Sequence, residues 1–204
     1  MADWGAFTPW VQIPTSGCPE PIVNRALCDA AIEFCETTQA FIERVPLQTQ
    51  VGQASYELLT DAGSSGMVLG AVLGTRSLSP VYTEALYNVY GDVWRTHTGK
   101  PQHYLSDNED SLQVYPIPDE TEAGTLTVAV RPNRNSSDWD DRLFERYGEI
   151  VADGALARLL AQLGTPWADA NEAMRRRVLF VRGMNRVRAK VLTSFTPATL
   201  YAGL

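Results

Sequence analysis

The stretch SSDWDDRLFERYGEIVADGALARLLAQLGTP (136–166) decides the fold class. Ser136, Ser137 and Asp138 are N-cap candidates, and Asp140, three residues after Ser137, can close a capping box. Leu143, Tyr147, Ile150, Val151, Leu159 and Leu163 then mark the apolar face of a helix. Gly154, Ala155, Ala157 and Ala161 are small, which lets another helix approach closely. Gly164-Thr165-Pro166 ends this helix, and Pro166 can also open the next.

Downstream, residues 167–192 read as a second long helix. At about 100° per residue, Met174, Val178, Val181, Met184, Val187 and Val191 form an apolar stripe, while Arg175, Arg176, Arg182, Arg186 and Lys190 gather opposite. Arg177 and Arg188 fall within the apolar stripe. Buried guanidinium groups need carboxylate partners, supplied within the chain or across a subunit boundary. Upstream, Pro19 and Pro21 introduce a helix over 22–41, in which Val23, Ala26, Leu27, Ala30 and Phe34 recur at helical spacing and Asp29, Glu33 and Glu36 fall toward water. The opening 16 residues, rich in Pro, Thr and aromatics and without a period, read as an extended arm.

Between the helices the period changes to two. Val45, Leu47, Thr49 and Val51 alternate with Pro46, Gln48 and Gln50 as in a half-buried strand. Further strands are expected at 55–59, 67–73, 111–115 and 125–130, separated by turn-rich pieces at 61–66, 116–119 and 120–124. Residues 80–94 fit a helix or a long loop. The connections look too short for helical crossovers, so antiparallel pairing is expected. The fold class is therefore α+β: a helical bundle of the N-terminal helix and two long C-terminal helices, with a central antiparallel β-rich region. The expected organisation is an arm and helix (1–42), a β-rich insertion (43–135), the C-terminal helices (136–193) and an extended tail (194–204).

At 204 residues, 45% hydrophobic and 20% charged, the chain can bury a core without disulfides or metals. The start, MADWGAFTPW, lacks the basic and apolar segments of a signal peptide, and no apolar run is long enough to span a bilayer. A protein made in a cytoplasm, with no membrane partner, is expected. Cys18, Cys28 and Cys35 cannot all pair within one chain, and none forms a Cys-x-x-Cys clamp; free thiols are expected. The net charge of −7 hides a polarity: residues 1–172 hold all 24 acids and 10 bases, residues 173–204 seven bases and no acid. Such asymmetry points to an acidic partner or nucleic acid at the C-terminal end. The last residues, FTPATLYAGL (195–204), are apolar and cannot bury themselves, so they are expected to dock on a neighbour.

Catalytic chemistry finds little footing. His97 and His103 flank Gly99 and Pro101, which break any helix that would align the rings, and no ligand lies at metal spacing. Gly99-Lys100 lacks the rest of a phosphate loop, since Trp94 and Pro101 stand where Gly and Ser or Thr are required. GSSGMVLGAVLG (63–74) carries no dinucleotide fingerprint. The aspartates at 107–110 and 138–141 read as a wet turn and a helix start. No enzyme activity, cofactor or metal is expected.

The order of motifs is more informative. GCPEPIV (17–23) running into RALCDAAIEFC (25–35), the Trp94, Gly99, Pro101 and Tyr104 of WRTHTGKPQHY (94–104), LQVYPIPD (112–119) with GTLTVAV (124–130), and WDDRLFERYGEIVADGALARLL (139–160) together resemble the head-to-tail adaptor (connector) proteins of tailed bacteriophages over residues 10–192. The resemblance implies a structural virion protein at the head-to-tail interface. Such a protein forms a ring of about twelve copies that binds the portal, extends the DNA channel and docks tail components. It implies portal contact through Arg175, Arg182, Arg186, Lys190, Phe195, Leu200, Tyr201 and Leu204, and tail contact through loops carrying Asp61, Ser64, Asp107, Glu109 and Asp110. Arg177 and Arg188 are candidates for the subunit interface. Genomic DNA would pass through the lumen without specific binding. Two alternatives stay open: a stopper or tail-completion protein one layer lower, or a nucleic-acid-binding module using the basic helix.

Overall fold

In chain order, the computed structural model contains β1 (Ala2–Asp3), a 3₁₀ turn (Trp4–Phe7), α1 (Thr8–Val11), α2 (Glu20–Thr38), β2 (Ile42–Gln48), β3 (Ser55–Glu57), β4 (Ser65–Leu73) and β5 (Arg76–Pro80). Then come α3 (Thr83–Tyr90), a second 3₁₀ turn (Gly91–Arg95), β6 (Thr98–Gly99), β7 (His103–Asn108), β8 (Ser111–Tyr115) and β9 (Ile117–Pro118). β10 (Ala123–Val130), β11 (Asp138–Trp139), α4 (Asp141–Leu160) and α5 (Ala170–Leu192) complete the chain. The structure describes residues 2–58, 65–108, 111–136 and 138–193. The class is α+β, divided into a helical unit (Met1–Ala40 with Arg131–Leu204) and a β unit (Phe41–Val130).

The helical unit is organised around α4, which packs against both α2 and α5. Asp140 caps α4, its carboxylate accepting from the Arg142 N–H at 2.9 Å. The expected caps at Ser136 and Asp138 lie too far upstream, because Asp138 and Trp139 are extended and pair antiparallel with β1, and Ser137 lies outside the described residues. Gly154 marks the meeting of three helices: a Cβ there would stand 2.9 Å from the Phe180 ring on α5 and 3.0 Å from the Ala30 Cβ on α2. The α2 stripe of Val23, Ala26, Leu27, Ala30 and Phe34 is buried as its spacing predicts. The helix stops at Thr38, where Gln39 turns into the left-handed region at φ 52°.

The opening residues are not an extended arm. Trp4, Phe7 and Val11 are buried, Trp4 Nε1 donates to the Ser136 carbonyl at 2.7 Å, and Phe7 and Trp10 meet Phe144 at 5.3 and 5.1 Å. Aromatics at 4, 7 and 10 share one side of a helical turn, a spacing that Gly5 and Pro9 disguise. α5 begins at Ala170 instead of residue 167, because the Asp169 carboxylate accepts from the Asn171 and Glu172 N–H groups at 3.1 and 3.0 Å.

In the β unit the sheet order is β2-β10-β4-β5-β7-β8-β3. Leu126 of β10 stands opposite Val45 on one side and Ala71 on the other. Leu73, Leu112, Leu126 and Val128 are fully buried. β2 spans Ile42–Gln48 instead of starting at Val45. Among the described residues it borders only β10, an edge position that tolerates Pro46. Pairing is not uniformly antiparallel: β5–β7 and β6–β9 run parallel. The long connection that parallel pairing requires is present after all, since α3 and its 3₁₀ turn lie between β5 and β7.

Candidate assembly surfaces

α5 carries the densest charge, and its burial is rotated relative to the expected stripe. Ala173, Phe180, Gly183, Met184 and Val187 are buried, whereas Met174 is 67% and Val178 42% exposed. Small residues make the close contacts: a Cβ on Gly183 would meet the Ile150 side chain at 2.8 Å. A pattern weighted by apolar bulk misses them. Arg177 and Arg188, expected inside the stripe, are therefore exposed.

The first turns of α5 spend their arginines within the chain. Arg175 Nε donates to Glu172 at 2.7 Å. Arg176 donates to Glu172 and to Asp153 of α4, both at 2.7 Å. Arg177 reaches Glu33 of α2 at 2.8 Å and lies over the Phe180 ring at 5.6 Å. Glu33 also pairs with Arg158 of α4, so a residue expected to face water ties three helices together. Hydrogen bonds and charge from Arg175 and Arg176 hold the Glu172 carboxyl down to about 2. Partial burial raises the Glu33 carboxyl, but hydrogen bonds from Arg177 and the charge of Arg158 outweigh it and hold the group below the usual range.

Toward its C-terminal end, α5 changes. Arg182, Arg186, Arg188 and Lys190 are exposed and make no ion pair with any described residue. With Phe180 as the centre of the buried face, Arg182, Arg186 and Lys190 span an arc of about 80° on one flank. Met174, Val178, Val181, Asn185, Arg188 and Leu192 span about 80° on the other. The acid-free run in the sequence thus resolves into a cationic strip and a separate apolar strip with one free guanidinium. At its N-terminal end the apolar strip borders a groove of about 510 Å³ lined by Ala157, Ala161, Leu163, Ala170 and Met174.

The β unit presents a second surface that periodicity did not announce. α3 buries Leu86 and the 3₁₀ turn buries Trp94; both join Leu105 and Tyr115 in a core cluster. Tyr82 (85% exposed), Tyr87, Val89, Tyr90 and Val93 remain outside. Glu84 and Asp92 among them are exposed and make no ion pair with described residues. Only one large apolar side chain of α3 is buried, so the segment has no stripe to read. His97 Nδ1 lies 3.1 Å from the Tyr115 hydroxyl and His103 stacks on the same ring, which gives both histidines packing roles.

Among the described residues no cluster of His, Cys, Asp or Glu is placed to hold a metal ion, and no helix is long and apolar enough to cross a membrane. Cys18, Cys28 and Cys35 are free, and burial pushes the Cys35 thiol far up. Of the residues assigned to partner contacts from sequence, Asp61, Ser64, Glu109, Asp110, Phe195, Leu200, Tyr201 and Leu204 lie outside the described residues. Asp107 falls in β7, which pairs antiparallel with β8. The family described as SU10 adaptor protein matches the chain over residues 6–199. No relative among curated proteins matches it.

Proposed function

The chain belongs to the SU10 adaptor protein family of phage head-to-tail adaptors, a structural and virion family and not a known enzyme family, and from this premise we propose that it forms the ring that joins portal to tail. The ring, of about twelve copies, binds the portal on one side, docks tail components on the other and prolongs the channel for DNA. The helical unit, in which the N-terminal helix and the two long C-terminal helices form a bundle, is the portal-facing part. The cationic strip of Arg182, Arg186 and Lys190 meets acidic portal groups, aided by Arg175 and by Phe195, Leu200, Tyr201 and Leu204 of the tail. Asp107 at the end of β7, with Asp61, Ser64, Glu109 and Asp110, faces the tail components. Arg188, with Arg177, lies at the subunit boundary.

The observation that carries this reading is the strip itself: three free cations on one flank of a rigid helix, in a chain of net charge −7. Desolvating them without partners is costly, so a complementary acidic surface is the fitting occupant. DNA is the poorer occupant for a conduit. Each neutralised phosphate releases counterions and adds affinity that opposes sliding. The test is binding of an Arg182→Ala/Arg186→Ala variant to the cognate portal ring. Weakened, salt-sensitive binding is expected. Intact portal binding combined with lost affinity for duplex DNA would favour the nucleic-acid reading instead.

A further inference from the structure

Two uncovered surfaces are left over once the cationic strip is assigned, and they complement each other. On α5, exposed Met174, Val178 and Leu192 with half-buried Val181 form a mainly apolar strip about 27 Å long, interrupted by exposed Asn185, with Arg188 as its free charge and Leu163, 86% exposed, beside the groove at its start. On the β unit, Tyr82, Tyr87, Val89, Tyr90 and Val93 are exposed together with the free carboxylates of Glu84 and Asp92, and one cation, Arg95 over the Trp94 ring, lines the groove beside Glu84, so the surface stays net acidic. One surface is apolar with a guanidinium, the other aromatic with carboxylates. Arginine planes pair with carboxylates and stack on tyrosine rings, so the two chemistries match.

We propose that the α5 apolar strip of one copy docks on the α3 surface of a second copy. The inference rests on the ring reading and names its lateral contact. Charge selects this pairing over the simpler ones. Self-pairing of the α5 strip would leave Arg188 without a carboxylate, and self-pairing of the α3 surface would gather the Glu84 and Asp92 carboxylates of two copies in one contact, which disfavours an isologous dimer. A contact between two different surfaces is heterologous; such contacts propagate from copy to copy and close into a ring when the rotation between copies closes. The strip lies on the flank of α5 opposite Arg182, Arg186 and Lys190, so one helix serves the neighbour and the portal at once.

A charge-swap experiment on the full chain tests this. Wild type, Arg188→Glu, Glu84→Arg/Asp92→Arg and an equimolar mixture of the two variants are followed by sedimentation velocity at low salt over a concentration series. Wild type is expected to associate, each variant alone to need at least about tenfold more protein for the same association, and the mixture to recover, because each variant then meets its opposite charge. Met174→Asp, at an exposed position, is expected to abolish association with an unchanged melting temperature. A wild type that stays monomeric throughout, variants that associate like wild type, or a mixture that does not recover would each overturn the proposal. Portal binding scored in parallel separates the two readings: binding retained without lateral association removes this interface and leaves the adaptor assignment standing.

Discussion

Gly154 concentrates the packing of the helical unit into one position. Alanine there would gain about 1 kcal/mol of helix propensity but force a methyl into the Phe180 ring and the Ala30 Cβ. The ring is fully buried and cannot swing away. Overpacking of this kind costs about 1–3 kcal/mol, so Gly154→Ala is expected to lower stability in urea titrations; a gain would mean the three-helix contact is looser than described. Glu33 sets a pH signature at the same junction. Its folded carboxyl lies below the ordinary 4.5, so its contribution is complete above 4.5 and disappears as pH falls through the depressed value. With Glu33 28% and Arg177 47% exposed, solvent limits the pair to about 0.2–1 kcal/mol. Glu33→Gln is expected to be less stable than wild type near neutrality and to approach it below pH 4.5. A constant difference across that range would show that the ion pairs are not the source.

At the scale of elements, legibility followed how each helix and strand buries itself. α2 and α4 pack with bulky side chains at regular spacing, so their existence and faces were readable. α5 packs partly through Ala173 and Gly183, which carry no apolar weight, and its face was therefore read one step out of phase. β5 buries Leu78 alone, and β7 is polar beyond Tyr104 and Leu105, so neither alternates clearly enough to be seen. Residues 80–94 fit either a helix or a long loop, and without deciding for the helix the crossover that makes β5–β7 parallel stays hidden. Of the candidate surfaces, the cationic residues were legible as an acid-free run, but which of them are free was not. Glu172, Asp153 and Glu33 neutralise Arg175, Arg176 and Arg177 through contacts fixed by tertiary packing. The remaining strip bears the portal prediction. Replacing both Arg182 and Arg186, each exposed, should change folding stability by no more than about 0.5 kcal/mol while weakening portal affinity more than tenfold if each contact contributes about 1 kcal/mol or more. Equal losses of stability and affinity would assign the arginines to the fold instead.

Across the whole molecule the charge is partitioned by unit. The β unit holds 11 acids and four bases, the entire net −7, whereas the helical unit holds 13 of each. On the proposed reading, in which the ring prolongs the DNA channel, an acidic β unit would repel DNA and so would not oppose its sliding. On the same reading, the free cations Arg182, Arg186 and Lys190 are a local exception that a partner would cover. Membership of the adaptor family makes the chain a structural component of the phage particle, and the strip gives that membership a direction. The most direct measurement is negative-stain electron microscopy of the protein mixed with the portal ring encoded by the same genome. The expected image is an added ring of matching symmetry on one face of the portal, lost on raising salt and in the Arg182→Ala/Arg186→Ala variant. Portal rings left bare at low and moderate salt would contradict it.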